Sequence, residues 1–427
     1  MFTAVAVIGA LRAFGLLSLA GTVDFRGGGH SIANVQKLQQ VWDSLNSDFY
    51  MPVDDGKMIE SAAAAMANSL GDVYTSYYTK DEMRQFTARS AGVFHGIGVY
   101  VAPGENGRLR VTRIFEDSPA LEAGVLVGDQ IVSVDGTDAA GLPDTDSVIA
   151  LIKGEAGTRV SIRFYRPSEG RELELSIERR EIKADNIFSK LLYVRAGGVI
   201  VGEQDVVGAG GGAQGGAEPG IQQGAPVGYI KLVMFDNSAS KYFDRHLDAL
   251  LEKGISALVI DLRGNTGGNF DEVIKIAGRI VGDKVVVYTE DRAGRKEYSD
   301  PGAKAIGLPV RLLINGDSAS ASEILAGAVK DYGAGRLIGT TTFGKGLVQA
   351  VLELKDGSGL KYTRSRYFTP SGASIQGTGI EPDVYAGPEQ PGNAGGGGAG
   401  EGAGAGDGPL QNDGQLFSAL VDLEKYG

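Results

Sequence analysis

The second half of the chain alternates short apolar runs with amphipathic stretches, and this alternation constrains the fold most. The runs SALVIDLRGN, VRLLING and GRLIGTTTF are typical of buried strands, whereas SKYFDRHLDALLEKG and FDEVIKIAGRIV repeat apolar residues at helical spacing. Strands that alternate with helices form a mostly parallel sheet covered by helices. We therefore predict an α/β layer with additional β-strands over residues 185–390.

The region before this layer has two different patterns. Residues 91–184 carry short β-rich runs such as LRVTRIF and RVSIRFYR, with one helix-like piece in DTDSVIALIK. They predict a compact, mostly β domain. Residues 33–90 repeat apolar residues at helical spacing, which predicts a small helical region that serves as a packing or dimer surface.

Two Gly-rich segments interrupt these regions. Residues 208–224 lie between two predicted strands, and residues 391–412 precede an amphipathic helix predicted over residues 413–427. Neither segment can bury enough apolar area to offset its backbone entropy. We expect the first to be an inserted loop and the second a linker.

The first 21 residues are apolar apart from Thr3 and Arg12 and end in the small residues SLAG. This pattern predicts an export signal or a short membrane anchor, followed by a linker up to residue 32. The expected location is periplasmic, otherwise extracytoplasmic, or membrane-anchored. Because Arg12 is costly at a bilayer centre, a plain N-terminal helix stays open as the alternative.

Composition excludes several functions. The chain has 41 basic and 53 acidic residues, a net charge of −12, and its basic residues are dispersed, so we expect no nucleic-acid binding. It has no cysteine, which removes disulfides, thiolate metal sites and cysteine nucleophiles. We expect neither a metal nor an organic cofactor.

Three serines, Ser318, Ser320 and Ser322, alternate in INGDSASASEILAGAVKDYG, where an apolar run turns into a helical pattern. Such residues commonly cap the first turn of a helix and allow close packing. Alternatively, one of them is a nucleophile at the positive end of the helix, where backbone N–H groups can hold an oxyanion. Both interpretations are open at this point.

A nucleophilic serine needs a base, and histidine is a poor candidate here. His30 lies near the N-terminus, His95 lies in the β domain, and His246 is expected at an exposed or half-buried helix position. The GxSxG signature is absent, and the lipase-like GDS has no histidine downstream. SASK (238–241) lacks the S-D-N and K-T-G motifs that accompany it in penicillin-interacting enzymes.

Lysine is the remaining common base, and it must be buried to be neutral near pH 7. Lys345 lies between two glycines in a strand-like, otherwise uncharged run, TTFGKGLVQAV. Lys241, Lys253 and Lys330 lie on polar helix faces, where solvation keeps them charged. An ordinary turn lysine stays open as the alternative for Lys345.

Several ordered blocks resemble the carboxyl-terminal processing proteases, the tail-specific serine proteases of bacteria and chloroplasts. They span most of residues 35–385: IDLRGNTGG, INGDSASASEILAGAVKDYG, TTFGKGLVQ, YFTPSGASIQGTGIEPDV, and, in the β domain, GIGVYV and SPALEAGVLVGDQIVSVDG. The resemblance implies an α/β multidomain protein. Its parts are a helical N-terminal region, a mostly-β PDZ domain, and an α/β protease core of the ClpP/crotonase-like type.

The resemblance also implies a catalytic set. The nucleophile is Ser320, the general base is Lys345, and Gln349 orients the lysine. If both lie on one strand, positions four apart face the same side, so their side chains can meet. Ser318 and Ser322 then cap and pack.

Two backbone N–H groups are implied as oxyanion donors, one from Ala321 and one from Gly267 or Gly268. The glycines also suit a tight turn after a strand. Family members often carry proline where Thr266 stands, which leaves a backbone donor intact. Asp331 corresponds to an acidic position implicated in some members and is expected to be structural here.

The β domain resembles a PDZ module. The implied carboxylate loop is Gly96-Ile97-Gly98, with the bound tail added as a strand beside Val99, and the apolar groove favours apolar tail residues. The same glycines would also suit a hairpin turn.

The function implied is a serine endopeptidase that selects protein substrates by apolar C-terminal tails and hydrolyses peptide bonds with a Ser/Lys pair. A catalytically inactive PDZ scaffold is the alternative. Expected partners are protein or peptide substrates, a second copy through the helical region, and a membrane through the N-terminus.

Overall fold

The computed structural model describes residues 32–104, 108–115, 117–142, 145–183, 186–206, 225–387, 410 and 413–426. The predicted export segment, the Gly-rich residues 208–224 and nearly all of the linker predicted over 391–412 lie outside the described residues. The chain divides into two compact units, Met1–Ala65 and Met66–Gly427.

The first unit contains helix α1 (Ile32–Asp48) and most of helix α2 (Asp55–Asn68), as the sequence predicted. Apolar side chains recur along α1 and stay between 40% and 58% exposed: Val35, Leu38, Val41 and Leu45. A helix with such a stripe can bury it against another apolar surface.

The second unit contains a short strand inside the region that was predicted to be helical, so that prediction is corrected here. Strand β1 (Ser76–Tyr78) lies between α2 and helix α3 (Lys80–Ser90), and it pairs with a strand near the end of the core. Three residues with no alternation are too short a pattern to predict a strand. The pairing brings residues 72–78 to the core.

The β domain follows as predicted. Its elements are β2 (Val93–Gly96), β3 (Val99–Pro103), β4 (Leu109–Ile114), α4 (Pro119–Glu122), β5 (Gln130–Val134), β6 (Thr137–Asp138), α5 (Thr145–Ile152), β7 (Arg159–Arg166), β8 (Arg171–Glu178) and β9 (Arg180–Lys183). One sheet has the order β3-β4-β5-β7-β8, with β6 beside β5, and β2 pairs with β9. Alternate apolar residues of β7 turn inward, which gives the domain a core of its own.

The α/β core contains the remaining elements. They are β10 (Ile187–Arg195), β11 (Val199–Asp205), β12 (Ala225–Leu232), α6 (Ala239–Glu252), β13 (Ala257–Asp261), α7 (Phe270–Val281), β14 (Val287–Asp291), β15 (Lys296–Ser299), β16 (Val310–Ile314), α8 (Ala321–Asp331), β17 (Arg336–Gly339), β18 (Leu347–Glu353), β19 (Gly359–Phe368), β20 (Val384–Tyr385) and α9 (Gly414–Tyr426). The predicted α/β class, the helices α6, α7 and α9, and the strands β13, β16 and β17 are confirmed. The sequence did not predict β11.

The main sheet has the order β11-β10-β12-β13-β16-β17-β20 and is parallel from β12 to β20. Helices α6, α7 and α8 cover one face and α9 covers the other, so β13 and β16 are buried along their whole length. This double coverage explains their continuous apolar runs. A separate antiparallel sheet has the order β1-β19-β14-β15, with β18 beside β19.

Candidate active site

Ser320 is the last residue before helix α8, on the loop that leaves β16. Its φ of 56° and ψ of −111° lie outside the regions that residues with a Cβ favour. Such strain persists only where the surrounding structure holds it, and it is concentrated at functional sites. A sharp, strained strand-to-helix turn is also how hydrolases expose a nucleophilic serine.

The two flanking serines have the structural role that the sequence predicted. The Ser318 hydroxyl donates to the Leu262 carbonyl at 2.8 Å, and the Ser322 hydroxyl donates to the Asn265 carbonyl at 2.8 Å. Both serines are fully buried, whereas Ser320 is partly exposed. They therefore attach the start of α8 to the turn that follows β13.

That turn carries the predicted oxyanion glycines. A Cβ on Gly267 would lie 2.8 Å from Ser320 Cβ and 2.9 Å from the Ala321 nitrogen, so only glycine fits at this φ of 105°. The Gly267 N–H donates to Asn265 Oδ1 at 2.9 Å. Among the described residues, the N–H groups of Gly268 and Ala321 have no acceptor, so they are the pair available to an oxyanion.

An ion-pair network also holds this turn. The Arg263 guanidinium binds both carboxylate oxygens of the buried Asp261, at 2.9 and 2.7 Å, and both of Asp413, at 2.9 and 2.5 Å. Burial alone would raise the pKa of Asp261, but Arg263 holds it below its ordinary value. Helix α9, which starts directly after Asp413, is thereby tied to the glycine turn.

Lys345 lies in the loop between β17 and β18, so its predicted position on a strand is wrong. Its amine rests on the ring face of Tyr74, 4.7 Å from the centroid. Burial lowers the pKa of the amine below its ordinary value and the charge of Lys361 lowers it further, while Glu323 and Asp72 act in the opposite direction. A lysine in this setting loses its proton more readily than one in water.

The buried carboxylate of Glu323 connects the serine loop to the lysine loop. Its Oε2 accepts the N–H groups of Ser320 and Lys345, each at 2.9 Å. Its Oε1 accepts the Gly344 N–H and the Thr342 hydroxyl, each at 2.7 Å. One side chain therefore sets the distance between the two backbones that carry the candidate nucleophile and base.

Tyr367 completes this connection on the carbonyl side. Its hydroxyl lies within hydrogen-bonding distance of the carbonyl oxygens of Ser320 and Lys345, and its side chain is fully buried. Burial raises the pKa of this phenol well above its ordinary value, which keeps the donor proton in place. Sequence reasoning missed both residues, although Ser320-x-x-Glu323 has the spacing of a capping box.

Gln349 lies on β18, and a bulge between Val348 and Gln349 interrupts its pairing with β19. Its amide donates to the Leu347 carbonyl at 3.4 Å. Within the described ranges, neither Gln349 nor Ser320 makes a hydrogen bond to the Lys345 amine. The same-face argument for Gln349 and Lys345 does not apply, because it required both residues to lie on one strand.

Asp331, at the end of α8, accepts the Ser371 N–H at 2.8 Å and so holds the turn after β19. Its contact is with backbone of that turn, in line with the structural role that we expected.

The histidines differ from the sequence expectation at one position. His246 is fully buried, not exposed or half-buried, and its Nδ1 lies 2.7 Å from the Ser189 hydroxyl. Helix α6 turns this residue toward the sheet, where polar side chains need a partner. His95 lies on β2, and His30 lies outside the described residues.

The predicted tail-binding loop connects β2 to β3. Ile97 is buried and its carbonyl accepts the Ala120 N–H at 2.9 Å, while Gly98, with a φ of 81°, lies against Ser118. In the described part of the chain, β3 pairs only with β4 and forms an edge of its sheet. An edge strand can accept an added strand.

Within the ranges given above, no group of three or more His, Asp and Glu side chains is placed to hold a metal ion. No helix among them is long and apolar enough to span a bilayer.

Comparison with known proteins identifies the family. The sequence profile of peptidase family S41 matches residues 226–386, and that of the PDZ domain matches residues 95–178. The carboxy-terminal processing protease CtpB of Bacillus subtilis is 32% identical over 352 residues, which cover 82% of this chain and 67% of the relative. The chain belongs to peptidase family S41.

Another sequence relative of this S41 chain agrees with that assignment. A probable CtpA-like serine protease of Staphylococcus haemolyticus is 33% identical over 354 residues, which cover 82% of this chain and 64% of the relative. The match thus spans less than two thirds of the length of the Staphylococcus haemolyticus relative and about two thirds of that of CtpB. Among solved structures, the photosystem II D1 C-terminal processing protease is 29% identical, with 83% of this chain and 87% of that chain covered and a TM-score of 0.46.

The predicted membership of the carboxyl-terminal processing proteases is therefore confirmed, as is the PDZ domain. Of the relatives of the S41 chain named here, one is a carboxy-terminal processing protease and the other a probable CtpA-like serine protease.

Proposed function

We propose that the protein is a serine endopeptidase in which Ser320 is the nucleophile and Lys345 the general base. The observation that carries this proposal is the shared acceptor, Glu323 Oε2, which binds the backbone N–H of both residues. The strained backbone of Ser320 at the start of α8 and the depressed pKa of Lys345 add support.

The mechanism starts when the neutral Lys345 amine rotates from Tyr74 toward Ser320 and takes the hydroxyl proton. The alkoxide attacks a peptide carbonyl, and the N–H groups of Ala321 and Gly268 stabilise the negative oxygen. We choose Gly268 over Gly267 because the Gly267 N–H already has an acceptor. Lys345 then protonates the leaving amine, and water hydrolyses the acyl-enzyme. Gln349 is proposed to orient the lysine during these steps.

Substrate selection is assigned to the PDZ domain. A free C-terminus would bind at the loop Gly96-Ile97-Gly98, and the tail would add as a strand beside Val99 on the edge strand β3. Tyr100, next on this strand, packs edge-on to Phe188 of β10 at 6.1 Å, so the binding edge contacts the α/β core.

Two further assignments concern partners and location. The exposed apolar stripe of α1 suits a homodimer interface. Leu38→Glu would weaken this interface, and light-scattering measurements of molar mass would detect the change.

The apolar residues 1–21 suit export or membrane association, which fractionation of cells with and without this segment would test.

One observation favours the alternative of an inactive PDZ scaffold. The amine of Lys345 contacts Tyr74 and makes no hydrogen bond to Ser320 within the described ranges. A scaffold would bind tails without cleaving them.

The test is cleavage of an unfolded protein that ends in apolar residues, followed by mass spectrometry. Ser320→Ala and Lys345→Ala should each abolish turnover, whereas Lys241→Ala, a lysine on the helix α6, should not. Full activity of Lys345→Ala would show that Lys345 is not the general base. Tail binding without cleavage by the unsubstituted protein would favour the scaffold.

A further inference from the structure

The segment 72–78 lies outside both matched family regions, yet it contacts the candidate base. Tyr74 presents its ring face to the Lys345 amine at 4.7 Å. A ring face attracts an ammonium group and at the same time displaces water from it. These two effects act on the protonation of the amine in opposite directions.

Tyr74 is itself held in place by a local network. Asp72 accepts the Tyr74 N–H at 3.1 Å and the hydroxyls of Thr75 and Thr363, each at 2.6 Å. Strand β1, which starts two residues later, pairs with β19 from Ser76 to Tyr78. The ring therefore has a fixed support on the antiparallel sheet.

The charged and titratable groups around the amine come from three elements. Asp72 and Tyr74 belong to the segment before β1, Glu323 belongs to α8, and Lys361 belongs to β19. The two carboxylates favour the ammonium, whereas Lys361 and burial disfavour it. The phenol of Tyr367, also on β19, binds the backbone carbonyl of the lysine and not its amine.

We infer that Tyr74 is a positioning residue for Lys345: its ring holds the amine of the base in one place and shields it from water between turnovers. This inference rests on the proposed Ser/Lys function. The ring is rigid and the lysine side chain is flexible, so the ring restricts where the amine can be before it rotates to Ser320.

Three substitutions of Tyr74 separate the two effects of the ring. Tyr74→Phe keeps both effects, so kcat and its pH profile should match those of the unsubstituted protein. Tyr74→Ala admits water and stabilises the ammonium, so the rising limb of kcat should move to higher pH by about one unit, with a loss of about tenfold at pH 7. KM should not change, because the proposed tail contacts are elsewhere.

Tyr74→Leu guards against a folding defect, because it keeps the apolar volume and removes the ring face. The ammonium loses the attraction of the ring but stays shielded, so the limb should move to lower pH, opposite to Tyr74→Ala. Tyr298→Ala, an exposed tyrosine on β15, is the control and should leave the limb in place. A limb that stays in place in both Tyr74→Ala and Tyr74→Leu would overturn the inference.

A second readout does not need activity. In Ser320→Ala protein with ¹³C-labelled lysine, the Cε shift of Lys345, assigned with Lys345→Arg, reports its titration by NMR. The titration should move up with Tyr74→Ala and down with Tyr74→Leu. If Ser320→Ala and Lys345→Ala stay active, the proposed function fails, but this titration still decides the effect of Tyr74 on the amine.

Discussion

Within the described part of the α/β core, the pair of Ser189 and His246 is hydrogen-bonded, whereas the candidate pair of Ser320 and Lys345 is not. Ser189 on β10 lies 2.7 Å from His246 Nδ1, whereas the Lys345 amine contacts Tyr74 instead of Ser320. Ser189 on strand β10 and His246 on helix α6 are both buried. A peptide substrate has no access to them.

Ser320 differs from Ser189 in its surroundings rather than in its bond to a base. It is partly exposed, strained in its backbone, and next to two N–H groups without an acceptor among the described residues. Ser189 lies in regular strand backbone, where its neighbours are paired. A short distance from a serine to a base is therefore a weak sign of a nucleophile, and access with oxyanion donors is a stronger one.

The largest effect is expected from Glu323, whose carboxylate binds the backbone N–H groups of Ser320 and Lys345. Glu323→Ala leaves four donors without their acceptor, so we expect kcat to fall by about 100-fold or more and the free energy of unfolding by about 3 kcal/mol. Glu323→Gln keeps one acceptor oxygen, so its kcat and its free energy of unfolding should lie between those of Glu323→Ala and of the unsubstituted protein. Peptidase assays and urea denaturation measure both; unchanged kcat in Glu323→Ala would show that the connection is not needed.

The pH dependence of kcat/KM distinguishes the two bases. In the proposed mechanism the neutral Lys345 is the active form. Because its pKa is lowered, activity should rise with pH by about tenfold per unit and level off below pH 10.4, about the pKa of free lysine. With a histidine base, the rising part of the profile would lie at about pH 6.5. A profile that is flat from about pH 6 to 10 would contradict the lysine.

Ser189→Ala tests whether the second pair is only structural. It removes a buried hydrogen-bond partner of His246, so the free energy of unfolding should fall by about 1–3 kcal/mol. The kcat of the folded fraction should be unchanged. Loss of turnover with normal folding, measured by circular dichroism, would give this pair a part in the reaction.

The smallest effect concerns backbone strain. Glycine accepts the positive φ of Ser320 without strain, so Ser320→Gly should be more stable than Ser320→Ala by up to about 1 kcal/mol. At Ser189, in a regular strand, the order should reverse because glycine costs more entropy. Thermal melts of the four variants measure this order of stability. The same order at both sites would show that backbone strain does not distinguish Ser320 from Ser189.

The sequence was sufficient for the elements with long, regular patterns and for the ordered motif blocks. The strands β13, β16 and β17 were predicted because both faces of the sheet are covered, which leaves a continuous apolar signal. The helices α6 and α7 were predicted because their apolar residues repeat at helical spacing. The strand β1 and the burial of His246 were missed. Both depend on contacts with residues far along the chain, which a local pattern does not contain.

By itself the sequence determined the α/β class, the S41 family blocks and the separation of Ser320 from Lys345 along the chain. Only the tertiary structure decided that Glu323 and Tyr367 hold these two backbones together, that Lys345 lies in a loop, and that Tyr74 covers its amine. The physical reason is that periodicity records which face of an element is buried, whereas hydrogen bonds between separate loops depend on how the packed elements bring those loops together.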